Sequence, residues 1–180
     1  FVARPDPGAV ARNLTEAATL LVGVGSFTVE EIVAARIETE AVCCQLAALN
    51  RSEDDLARIA AEIALQRDEA LSDEEFCASD VRFHRALVTA TGNGPLRLMM
   101  YAVIESFVPV TNMLIYADHE RRRTADGHAR VLEAIAARDG ARAAVLMRDH
   151  LQGMRAVLDY ALDRRAARSV PPVSQGGKTE

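Results

Sequence analysis

Four side chains in this 180-residue sequence have the types and spacing to share one divalent metal ion: Asp80, His84, His128 and His150. Asp80 and His84 are four residues apart, so a helix presents them on consecutive turns of one face, where they can chelate together. His128 falls on an apolar stripe with Val131, Leu132 and Ile135. His150 sits near the centre of another, made by Ala143, Met147, Leu151, Met154, Val157, Leu158 and Ala161. Each histidine alone has an ordinary explanation, a core imidazole with one hydrogen-bond partner. Asp80 alone reads equally well as the partner of a nearby arginine. Together they are harder to satisfy, because burying one carboxylate and three imidazoles costs several kcal/mol unless they satisfy one another. A divalent ion does that in one step. Imidazole nitrogens with one carboxylate suit Zn²⁺, and also Ni²⁺, Mn²⁺, Fe²⁺ or Co²⁺. Ligand imidazoles must be neutral, so metal affinity is expected to fall below about pH 6 to 6.5. The fourth histidine, His119, lies in the charged run "DHERRR" and reads as solvated.

Arg36 is the other candidate. With Ile32, Thr39, Cys43 and Leu46 it shares a largely apolar helix face. It is either an i, i+4 partner of Glu40 with its stem laid along the surface, or a guanidinium aimed into a cavity to grip a carboxylate bidentately.

Helices must position all of these residues. The apolar periodicity predicts helices over about residues 8–22, 29–49, 53–68, 72–91, 93–116, 124–138 and 141–165. The first carries Val10, Leu14, Ala17, Ala18 and Leu21 on one face, and the second Ile32, Ala35, Val42, Leu46 and Leu49. "GVGSFT" breaks the first helix. Thr28 with Glu31, and Ser72 with Glu75, have the spacing of capping boxes. Pro109 predicts a kink near Val108, and Gly92-Asn93 closes the helix that carries Asp80 and His84. The charge runs "RSEDD", "SDEE" and "HERRR" read as solvated caps and loops. We expect an all-α fold, an antiparallel bundle of six or seven helices spanning residues 8–167. Residues 1–7, "FVARPDP", read as the end of a preceding element plus a linker, and 168–180 as a disordered tail.

Composition narrows the function classes. Hydrophobic residues make up 49% of the chain, aromatic residues only 4%, and Trp is absent. The core must therefore be built from small aliphatic side chains, which favours closely packed helices. A net charge of −5 gives no general attraction to nucleic acid or anionic membrane. No apolar run is long enough to span a bilayer. Cys43, Cys44 and Cys77 lack the spacing of a disulfide framework and read as reduced intracellular thiols used as small core residues.

Several ordered segments resemble one family. "AARIETEAVCCQLAA", "DVRFHRALVTATGN" and "GHARVLEAIAARDGARAAVLMRDHL" resemble the effector-binding FCD domain of FadR-type GntR transcription regulators. The resemblance covers roughly residues 10–165. It implies an antiparallel helical bundle, metal ligation by Asp80, His84, His128 and His150, and an effector-pocket role for Arg36. It also implies that "FVARP" is the remnant of the wing strand of a DNA-binding domain that lies outside this chain. The implied protein is a cytoplasmic homodimer that senses a small organic acid and meets DNA only through that N-terminal winged-helix domain. It is a sensor with no catalytic residues. The rival readings are a metal-dependent hydrolase-like enzyme and a helical domain with a purely structural metal. Neither H-E-x-x-H nor a paired E-x-x-H motif is present to favour the enzyme.

Overall fold

A computed structural model describes residues 6–106 and 118–169, with the side chains of 7, 118–119 and 157–169 excepted. Among these residues the chain forms seven helices and no strand. They are α1 (Pro7–Gly23), α2 (Val29–Asn50), α3 (Glu53–Gln66), α4 (Asp73–Thr89), α5 (Gly94–Ser106), α6 (Asp118–Ala136) and α7 (Gly140–Ser169). The all-α expectation is met. α7 runs two residues into the segment expected to be a tail, and α1 begins at the last residue of the expected linker. The strand remnant at 1–5, the kink at Pro109 and the tail beyond 169 lie outside the described residues.

Local chemistry explains most helix ends. Asp6 caps α1, accepting from the amides of Gly8 and Ala9. Thr28 and Glu31 form the full reciprocal capping box of α2. At α4 only half of the box forms: Ser72 accepts from the Glu75 amide, and the Glu75 carboxylate instead meets Arg82 at 3.0 Å. Ser52 and Asp55 close a box at α3. Asn93 starts α5 by accepting from the Leu96 amide, just after Gly92 turns the chain at φ 68°.

The α6–α7 corner matters most for the site. Arg138 adopts φ 58°, a left-handed conformation that is unfavourable for a side chain with a Cβ. Its guanidinium compensates by donating to the carbonyls of Ala48 and Leu49, at the C-terminal end of α2. Asp139 then caps α7 through the Arg142 amide. This tight corner folds α7 back along α6, which brings the His128 and His150 rings to 4.5 Å between centroids.

The core lies where α2, α4, α6 and α7 meet, with α3 against α4 and α6, and α5 against α1 and α4. It is built from Ile37, Ile59, Phe83, Leu87, Val131, Ile135, Met147 and Leu151, with small Cys and Ala side chains between them. All three cysteines are buried and free. Burial pushes the Cys43 thiol up to about 12 and the Cys77 thiol to about 11. These are packing residues rather than nucleophiles.

Two expectations change. The buried face of α2 is not the one through Ala35, Val42 and Leu49. Val42 and Leu49 are 46% and 67% exposed, while Arg36 and Glu40 are inside. The buried face is the one that Arg36 shares with Ile32 and Cys43, and it adds Glu40 and small Ala side chains. Likewise "HERRR" is no loop, because α6 starts at Asp118 and runs through it. Arg121 there donates to the Leu71 carbonyl, pairs with Asp73 and lies over the Phe76 ring. These contacts fasten the start of α6 to the start of α4.

Candidate metal centre

α4 carries Asp80 and His84 into the bundle on the face that also buries Phe76, Cys77, Phe83 and Leu87. α6 brings His128, which is wholly buried and stacked on Phe83 with ring centroids 3.7 Å apart. α7 brings His150, which keeps partial exposure. One ring nitrogen from each of His84, His128 and His150 falls within 4.8 Å of the others. The Nε2 atoms of His128 and His150 are 3.1 Å apart. Asp80 Oδ1 lies 3.6 Å from His128 Nε2, and Asp80 Oδ2 lies 3.8 Å from His84 Nε2. The three imidazoles therefore meet from three helices, and Asp80 lies beside them, one oxygen toward His128 and the other toward His84.

The donor set suits a divalent ion. Two ligands bonded to one Zn²⁺ at about 2.0–2.2 Å lie roughly 3.0–3.5 Å from each other, close to the spacings here. Asp80 Oδ1 and His84 Nε2 are buried without a hydrogen-bond partner, which a native core rarely tolerates. Both belong to the convergent set.

Arg36 sits beside this centre rather than apart from it. Its Nε donates to Glu40 Oε1 at 2.6 Å, and both side chains are buried. The i, i+4 pair thus exists, but inside the bundle and not along its surface. Glu40 Oε2 in turn lies 2.5 Å from His84 Nδ1. Gln66, the last residue of α3, places Oε1 2.8 Å from His128 Nδ1. In the sequence Glu40 stands out only as a partner for Arg36, and Gln66 does not stand out at all. A helix-terminal Gln carries no periodic signal. A charged residue at a core position of α2 did carry one, in Glu40's spacing from Arg36.

Electrostatics follow burial. Burial alone would raise the Glu40 carboxyl, but Arg36 and His84 outweigh it and hold the pKa down to about 2. Burial raises the Asp80 pKa, against the pull of His84 and Arg36. Burial, with the neighbouring His150 and His84, holds the His128 pKa well below its usual value. Burial, with His84, lowers that of His150 to about 3. The His128 and His150 rings therefore stay neutral below pH 6.

The same shifts set the pH dependence of the metal-free domain. His128 and His150 take up protons near 6.5 when unfolded but resist them when folded. Their contribution is complete above 6.5 and is lost as pH falls from there, for His150 toward about 3. Asp80, with its raised pKa, works in the opposite sense, one group against two. The midpoint of urea unfolding in the presence of a chelator should fall between pH 7 and pH 5. A flat or rising midpoint would contradict these burials.

The fold and the buried Asp–His cluster define a class: an all-helical domain with a polar centre at the meeting point of three helices. The FCD domain family model matches residues 31–153, and the chain belongs to that family. No curated protein sequence matches it. Among solved structures, the chain is similar to E. coli McbR/YncC, with a TM-score of 0.67, 22% identity, and 89% of this chain covering 88% of that one. It is also similar to a GntR-family transcriptional regulator from Pseudomonas syringae pv. tomato, with a TM-score of 0.60 and 22% identity. That match covers 79% of this chain and 62% of the regulator. No described helix is long and apolar enough to cross a membrane.

Proposed function

We propose that this chain is the effector-sensing domain of a GntR/FadR-type transcription regulator, with Asp80, His84, His128 and His150 holding one divalent metal ion, Zn²⁺ foremost. The observation that carries the metal reading is the pair of partnerless buried atoms, Asp80 Oδ1 and His84 Nε2, facing the other imidazoles. Membership of the FCD family supports the sensor reading. The ion would supply Lewis-acidic positions for an anionic oxygen. Arg36, buried beside the centre, supplies positive charge to a small carboxylate entering there. Asp80 and the imidazoles come from three different helices, so a ligand that draws on all of them biases how α4, α6 and α7 pack. Such a bias would pass to an N-terminal DNA-binding domain and to the second copy in a homodimer.

The test is a thermal-shift panel of sugar acids, hydroxy acids and dicarboxylates on the metal-loaded domain. A binder at 100 times its Kd stabilises by about 2.7 kcal/mol, on the order of 5–10 °C for a domain this size. The acid should be recovered unchanged. Arg36→Lys, which keeps the charge but loses the planar fork, should weaken the shift and leave metal content intact. A consumed acid would favour the hydrolase-like alternative, and a panel without any stabilising acid would favour a purely structural metal.

A further inference from the structure

We propose that Glu40 is a positioning residue of the metal centre, fixing which nitrogen of His84 faces Asp80, His128 and His150. The inference rests on the metal reading above. A carboxylate can only accept, so Glu40 Oε2, 2.5 Å from His84 Nδ1, requires the proton on that nitrogen. A neutral imidazole has one N–H, so Nε2 is left with its lone pair pointing at the cluster. Without Glu40, the outcome on α4 alone would differ. Asp80 Oδ2 is 3.8 Å from His84 Nε2, and an i, i+4 Asp–His pair satisfies itself by placing the proton on Nε2. That bond would quench both groups and close the ligand position. Glu40 blocks it from α2, a different helix, which accounts for His84 Nε2 lacking a partner.

Gln66 occupies the matching place behind His128, but with less authority. An amide can present either its oxygen or its NH₂ to a ring nitrogen, so it adapts to the tautomer instead of dictating it. Arg36 completes the arrangement. Its Nε on the other Glu40 oxygen keeps a fully buried carboxylate charged. The Arg36-x-x-x-Glu40 spacing on α2 thus serves the Asp80-x-x-x-His84 spacing on α4.

Two readouts test this. In the metal-free wild-type domain at pH 7.5, long-range ¹H–¹⁵N correlation spectra should show His84 protonated at Nδ1 and bare at Nε2. A proton on Nε2, in a neutral or a cationic ring, would overturn the proposal. Zn²⁺ affinity, read by competition with a chromogenic chelator, should fall about 10–100-fold in Glu40→Ala, the usual cost of losing an outer-shell partner. Glu40→Gln, which can still accept but without charge, should fall between that variant and wild type. Wild-type affinity in both variants would overturn the positioning role alone. Failure of the wild-type chain to take up Zn²⁺ would strike the metal reading, while the tautomer still decides the role of Glu40.

Discussion

Arg36→Ala is expected to destabilise the domain by about 3–5 kcal/mol, the cost of breaking a buried ion pair from one side. Arg36 and Glu40 are 3% and 0% exposed at their side chains, so the remaining carboxylate has no water to turn to. Burial then raises the Glu40 pKa against His84 alone, without the larger opposing pull of Arg36. A loss of that size is a large share of the roughly 5–15 kcal/mol that holds a domain together. Urea unfolding should show it directly. A change below about 1 kcal/mol would mean that the pair behaves as a surface ion pair. The experiment also bears on effector binding, because loss of the fold in Arg36→Ala abolishes acid binding as well. For that reason Arg36→Lys is the sharper probe of the pocket.

Gly127→Ala is expected to separate metal binding from folding. Gly127 lies inside α6, where alanine is favoured over glycine by about 1 kcal/mol. A Cβ there would fall 2.9 Å from His150 Nδ1 and 3.6 Å from its Cγ. At that distance something must shift, and displacement of the imidazole takes it away from His128 Nε2, which it now meets at 3.1 Å. Metal affinity should drop by more than the roughly 10–100-fold typical of an outer-shell change, since a ligand itself is displaced. Metal-free stability should be unchanged or slightly higher. Titration with Zn²⁺ alongside urea unfolding reads both quantities. Unchanged affinity would show that His150 is not held against α6 in the bound state.

The sequence made the bundle and the cluster legible for different reasons. Helix positions followed from capping residues and 3.6-residue periodicity, so α2, α3 and α4 were placed closely. The start of α6 was not, because "HERRR" looks solvated until Leu71, Asp73 and Phe76 are seen beside Arg121. The cluster was legible because its four residues are polar exceptions on apolar stripes, each visible within one helix. Glu40 and Gln66 act across helices, on His84 and His128. No spacing along the chain encodes which helix faces which. On α2 the sequence offered two faces, and the one through Arg36 and Cys43 is buried while Val42 and Leu49 face outward.

The most direct test of the central claim is the metal content of the purified chain after exposure to Zn²⁺ and removal of excess, measured by elemental analysis. About one ion per wild-type chain is expected, with a large loss in His128→Ala and in His150→Ala, each checked for retained helicity. A wild-type chain that holds no metal, or histidine variants that hold as much as wild type, would contradict it.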